Sequence, residues 1–387
     1  MNPAPVTSRR HFLIQSSVAL ASSSIKARSE TRGPEHLSPI RTISHLPHRY
    51  HGWGTLAQRR NGQLLLVCSG GRENHVCPFG RVELMTSSDH GKTWTWPQVI
   101  HDSAIDDRDA GILETARGTL LATSFTSLAY QPILEEAERS GHWSQDRLQR
   151  WLSAHHRLPA KQRDQLLGQW MLRSTDGGVT WSEAYPSLVN SPHGPIQLQD
   201  GRLLYAGKEL WTGQRRVGVC ESRDEGKSWQ WLAEIPTRPG DQAKDYHELH
   251  AIETADRRIV VHIRNHNPNH ERETLQCESM DGGRSWTQPR SIGVWGLPSH
   301  LLKLSDQRLL MSYGYRRPPF GNQARLSEDG GRSWSEPMAI SSDGASGDLG
   351  YPSTVELDDH SLLTVWYERL SSSPFAVLRQ AHWRLPD

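Results

Sequence analysis

The sequence predicts an all-β, six-bladed β-propeller, and three observations carry that expectation. A turn pattern, Ser-x-Asp-x-Gly-x-Thr/Ser-Trp, begins at Ser87, Ser174, Ser222, Ser279 and Ser327. Alternating apolar runs such as 201–207 and 258–264 precede the turns. The copies lie 87, 48, 57 and 48 residues apart, and about fifty residues holding four short strands and one tight turn make a propeller blade. Within each turn the Asp accepts hydrogen bonds from the backbone, the Gly takes a positive φ, and the hydroxyl ties the loop closed. The Trp packs back between strands, which explains part of an unusual excess of 15 Trp over 5 Phe.

The elements follow in chain order. Ser8-Arg9-Arg10-His11-Phe12-Leu13 has the twin-arginine form, with a weakly apolar stretch and small-x-small sites after it. Residues 1–27 are therefore expected to be an export signal for a periplasmic or secreted protein, and 28–44 a linker. The propeller is expected over 45–387. Between the first two turns the spacing is too long by most of a blade, and 131–169 has helical spacing broken at Pro159. That stretch reads as a helical insertion in the second blade. The last blade, over 350–384, lacks the turn, and is expected to close the ring with a strand from residues near 42–48. Length also allows seven blades.

Composition narrows the partners. Lys plus Arg number 44 and Asp plus Glu 43, a net charge of +1 that offers no broad basic footprint for nucleic acid or membrane. No apolar run is long enough to span a bilayer. Cys68, Cys77, Cys220 and Cys277 show neither Cys-x-x-Cys nor zinc-finger spacing and read as buried thiols. Neither a metal nor a cofactor is expected.

Five such turns on a six-blade count resemble the Asp-boxes of the sialidase (neuraminidase) superfamily, from about residue 45 to the end. The resemblance implies a propeller of sialidase type whose boxes sit away from the active site. It further implies a Tyr nucleophile helped by a Glu, a separate Asp acid/base, and three Arg residues gripping a substrate carboxylate. A neutral phenol approaches an anomeric carbon bearing a carboxylate with less repulsion than a carboxylate would, and guanidinium groups suit planar, bidentate recognition. Two segments match. The run 248–253 with 259–264 is similar to the family's Glu segment, and 350–356 with 363–368 to its nucleophile segment, so Tyr351, Glu248 and Arg264 are the expected nucleophile, its base and a carboxylate ligand.

Other positions depart from the pattern. Tyr50-His51-Gly52-Trp53 stands where an Arg-Ile-Pro segment belongs, so His51 replaces the first Arg. The loop 69–80 lacks the expected Asp. His75, a residue type suited to proton transfer near neutrality, and Asp107 in the run 106–109 are the candidates for acid/base. Arg72, Arg317, His193 and His247 complete the expected substrate contacts, although spacing does not choose between Arg316, Arg317 and Arg325 for the third Arg. His250 and His300 also fall near strand starts. The expected activity is exo-hydrolysis of an acidic sugar, sialic acid or a relative, from a glycan. A polysaccharide lyase acting on uronates, or a silent glycan-binding propeller, are the alternatives.

Because the export route reads the arginine pair and not charge alone, replacing Arg9 and Arg10 by Lys should leave unprocessed precursor in the cytoplasm. Normal processing of that variant, followed by fractionation and blotting, would contradict the assignment.

Overall fold

A computed structural model describes residues 33–386 apart from 212–213, so the expected export signal lies outside the described residues. The second strand of each blade is an apolar run buried along most of its length; Leu64–Arg72 and Leu362–Arg369 are examples. Such strands are covered on both faces because each blade packs between two others. The outermost strands, such as Gln98–His101 and Gln230–Glu234, have no buried residue.

Six antiparallel sheets result. The first blade comprises Tyr50–Gln58, Leu64–Arg72, Arg81–Ser87 and Gln98–His101, and the second Asp106–Glu114, Leu120–Ser127, Gln169–Ser174 and Tyr185–Pro186. The third runs from Ile196–Gln197 through Leu203–Lys208 and Val217–Ser222 to Gln230–Glu234. The fourth comprises Tyr246–Glu253, Ile259–Asn265, Glu273–Ser279 and Arg290–Trp295, and the fifth Ser299–Lys303, Leu309–Tyr315, Gly321–Ser327 and Met338–Ser341. The sixth holds Leu349–Glu356, Leu362–Arg369 and Ala376–Arg384. In every blade the first strand is innermost, and the first blade packs on the sixth, where Leu56 N donates to Ser353 Oγ at 3.0 Å.

Ring closure uses chain slightly upstream of the expected 42–48. Glu35–His36 and Arg41–Thr42 both pair with Ala376–Arg384, supplying the outer neighbour that this strand's backbone requires. The segment 28–44 is thus partly strand. The insertion is helical as expected, with α1 (Gln131–Ser140), α2 (Gln145–His155) and α3 (Ala160–Gln165) between the second and third strands of blade two. Gly141 ends α1 in the left-handed region, Ser144 caps α2, and Pro159 separates α2 from α3. Leu134 and Trp151 bury their faces against Cys77, with Val76 and Phe79 alongside, so the insertion rests on the loop between the second and third strands of blade one. All four cysteines are buried free thiols.

The five repeated turns join the third strand to the outermost one in blades one to five. In the fourth-blade copy Ser279 Oγ donates to Asp281 Oδ1 (2.8 Å) and accepts from Gly283 N (2.9 Å). Ser285 supplies its amide to Oδ1 (2.9 Å) and its hydroxyl to Oδ2 (2.6 Å). The Ser285 hydroxyl first, and the backbone amides with it, hold the Asp281 carboxyl down to about 2. Gly91 and Gly226 have φ of 78°, and a Cβ on either would lie 2.7 Å from a leucine of another blade, Leu363 or Leu121. Glycine there serves both the turn and blade packing.

Asp281 is exposed, so its loss unbonds a surface carboxylate network, not a buried one. Asp281→Ala should destabilise by about 1 kcal/mol. The deficit should shrink in acid as the wild-type carboxyl protonates, because a depressed pKa stabilises only above it. Activity per folded molecule should stay unchanged; thermal melts at two pH values with parallel assays would check this.

Candidate active site

Four of the six innermost strands break their hydrogen-bond ladder at the end opposite the turns. The register shifts fall between Gly52 and Thr55, Arg108 and Gly111, His247 and Leu249, and Gly350 and Ser353. At each break a non-glycine residue adopts the left-handed region: Trp53 at φ 54°, Asp109 at 45°, Glu248 at 39° and Tyr351 at 54°. Such conformations cost about 1–3 kcal/mol each and persist where surrounding structure enforces them, often at functional sites. Here four of them lead to one group of side chains.

Glu248, Arg264 and Tyr351 meet at its centre. The Tyr351 hydroxyl donates a short hydrogen bond to Glu248 Oε1, and Arg264 Nη1 donates both to Glu248 Oε2 and, at 3.1 Å, to Tyr351 Oη. Arg264 comes from the strand paired with that of Glu248, and a bulge beside Glu248 sets the reach of both side chains. Tyr351 is 4% exposed, and burial, then the Glu248 charge, keeps its phenol protonated well above the ordinary value. Burial pushes Glu248 up, but the Arg264 charge and the two hydrogen bonds outweigh it and hold the carboxyl below its usual range. Glu248 is therefore an anion waiting for the Tyr351 proton.

Asp109 faces this group and has the opposite character. Burial raises its carboxyl to about 7, with the Glu248 charge adding to the rise and Arg108 opposing it. Asp109 Oδ1 is buried without a hydrogen-bond partner. A neutral carboxylic acid beside an anionic one is the division that acid and base roles require. Trp53, 1% exposed, forms the adjoining wall, 6.5 Å from the Tyr351 ring, and Arg108 stacks on it at 4.3 Å. Arg316 lies 5.9 Å from the Tyr351 ring and donates to Leu349 O at 2.9 Å. His247 borders the group, edge-on at 5.0 Å to His266, which accepts from Arg264 Nε at 2.7 Å.

Several expected residues lie elsewhere. Asp107 is fully buried facing away, accepting from Ser103 N at 2.7 Å and lying 3.4 Å from His101. The break after Arg108 sends Asp109, not Asp107, to the site. Arg72 is fully buried with both guanidinium arms on Asp106 (2.6 and 2.9 Å), a pairing that needs Gly80, whose Cβ would clash with both partners. It has no free face for substrate. His51 is 1% exposed between Arg49 O and Glu83, with burial lowering it to about 4. Arg317 stacks on Trp295 at 3.7 Å, so Arg316 takes the position beside Tyr351. His193 is 3% exposed and packs 5.0 Å from both His250 and His300 in the interior. His75 stays at the mouth, 4.9 Å from Trp53, but its Nδ1 is shared with Tyr50 Oη (2.8 Å) and Asp348 Oδ1 (3.0 Å), not with the Tyr351 group. Among the described residues no group of His, Cys, Asp and Glu is arranged to hold a metal. The charged run 106–109 is the expected source of an acid, but the structure brings Asp109 and Arg108 from it to the site in place of Asp107, and Trp53 was not expected there.

A model of the BNR repeat-like domain matches residues 142–364. No curated protein matches the chain. Among solved structures, a protein of unknown function from Dyadobacter fermentans DSM 18053 is 22% identical at a TM-score of 0.73, over 92% of this chain and 99% of that one. The Hadza microbial sialidase Hz136 is 15% identical at 0.64, over 89% and 68%. The NanB sialidase from Streptococcus pneumoniae is 14% identical at 0.63, over 90% and 71%. These likenesses show a shared fold.

The site makes a pH-dependent prediction about stability. The Asp109 carboxyl titrates at about 7 in the folded chain against 3.8 ordinarily, so folding stability falls as pH rises between those values. Asp109→Asn should therefore raise the melting temperature at about pH 8 and leave it unchanged near pH 3.5. Equal effects in calorimetry at both would show that Asp109 is not held neutral.

Proposed function

Since the chain belongs to the family of BNR repeat-like domains, we propose that it is a glycoside hydrolase that releases an acidic sugar from a glycan through a tyrosine nucleophile. One observation carries the reading: the buried Tyr351 hydroxyl donates to an ionised Glu248 while Arg264 bonds both. Solved structures of sialidases that share this fold support it.

Tyr351 Oη attacks the anomeric carbon as the glycosidic C–O bond breaks, and its proton passes to Glu248. Asp109, neutral up to about pH 7, gives its proton to the departing oxygen. Water then displaces the tyrosine, losing a proton to the Asp109 carboxylate, while Glu248 returns its proton to Tyr351. Arg264, Arg108 and Arg316 surround the space before Tyr351 and hold the carboxylate of the sugar. Trp53 forms an apolar wall that excludes water.

Tyr351→Phe keeps the ring and removes only the attacking oxygen. It should fold normally and lose activity on aryl glycosides of acidic sugars by about three orders of magnitude or more. Wild-type kcat/KM should fall above about pH 7 as Asp109 loses its proton. Full activity of the Phe variant would end the tyrosine mechanism, and an unsaturated, ultraviolet-absorbing product would select the lyase reading.

A further inference from the structure

Beside the proposed catalytic group, on the other side of one loop, lies a second cavity of about 430 Å³. Arg49, Arg81, Arg150 and Arg157 line it, with Glu73 and Asp102 as the carboxylates. Arg49 comes from the segment before the first strand, Arg81 from the first blade's third strand, and Arg150 and Arg157 from α2 and the turn after it. The same loop places Glu73 in this cavity and, two residues on, His75 against Trp53. Two residues of extended backbone reach only about 7 Å, so the two sites are immediate neighbours.

The charges in the cavity are incompletely matched. Arg81 is bonded to Glu83 at 2.8 Å and Arg150 to Glu73 at 2.9 Å. Arg157 donates only to backbone carbonyls, Ala154 O and Ala104 O, each at 3.3 Å. The nearest carboxylate to Arg49 is Glu73 at 3.8 Å, and the Arg49 side chain is 44% exposed. Among the described residues these two guanidinium groups thus lack a carboxylate within hydrogen-bond distance, and carboxylate or sulfate oxyanions are ligands that such groups hold in bidentate fashion. Phe79 adds an apolar surface to the lining.

We propose that this cavity is a second glycan subsite, binding a sulfate or carboxylate group on a sugar unit that lies beyond the one held at Tyr351. The proposal rests on the reading of the protein as glycan-active, but its test needs no turnover. Calorimetric titration of the wild-type protein with a chondroitin sulfate tetrasaccharide, an oligogalacturonate and a neutral cello-oligosaccharide of the same length compares the oxyanions. Either charged probe should bind about tenfold or more tightly than the neutral one, with affinity falling as salt rises; which binds better identifies sulfate or carboxylate. Arg157→Gln and, separately, Arg49→Gln should each weaken that binding by about tenfold, with the rate on small aryl glycosides unchanged. Tyr351→Phe should keep it. Equal affinity for the neutral probe, or wild-type affinity in a folded Arg49→Gln variant, overturns the proposal. Charged binding that depends on these arginines in a protein without hydrolase activity upholds the cavity and refutes the hydrolase reading instead.

Discussion

The site depends on one largely covered charge pair, Glu248 with Arg264, whose side chains keep 17% and 14% of their exposure. Taking a carboxylate and a guanidinium out of water costs several kcal/mol per ion, and only close pairing with further hydrogen bonds offsets it. Tyr351 supplies one of those bonds, so the same interaction that makes the pair tolerable also aims a phenol at the mouth of the propeller. The consequence extends to Asp109. Facing a carboxylate that Arg264 keeps ionised, and itself buried, Asp109 is driven to the neutral form. Two acidic residues of ordinary chemistry thus acquire opposite protonation near neutral pH without any metal ligand set among the described residues.

Stability and chemistry occupy opposite ends of the blades. At one end the repeated turns satisfy their own backbone through Ser and Asp side chains, and their glycines admit leucines from other blades. At the other end Trp53, Asp109, Glu248 and Tyr351 hold left-handed conformations that non-glycine residues otherwise avoid. Arg72 and Asp106 support that end: fully buried, they clamp the loop 69–80 to the second blade, since Arg72 also donates to His75 O at 2.8 Å. The helical insertion adds a second brace, through Trp151 Nε1 on Glu73 at 3.0 Å. A loop tied from both sides can carry one wall of a cavity on each face.

The architecture was legible in the sequence because its signals are local. A turn of eight residues encloses its own hydrogen bonds, so the spacing of five copies predicts six blades, and the departure in the first interval marks the insertion. Tyr351, Glu248 and Arg264 were legible in another way, through the resemblance of the segments 248–264 and 350–368 to those of a known family, which strand periodicity alone does not single out. Asp109 was not. Strand alternation alone puts Asp107 and Asp109 on the same face, and only the ladder break after Arg108 separates them. Arg316 and Arg317 likewise differ in sequence by one position, and packing alone sends the second onto Trp295.

By itself, then, the sequence predicted the repeated blades, favouring six over seven, and the helical insertion, since turns and strand periods are set by neighbours along the chain. The tertiary structure alone decided which acid is neutral, which arginines remain available, and that His51, Arg72 and His193 are interior. Burial, and with it the desolvation that shifts a pKa, is fixed by the other blades closing around a residue. No local pattern encodes that closure.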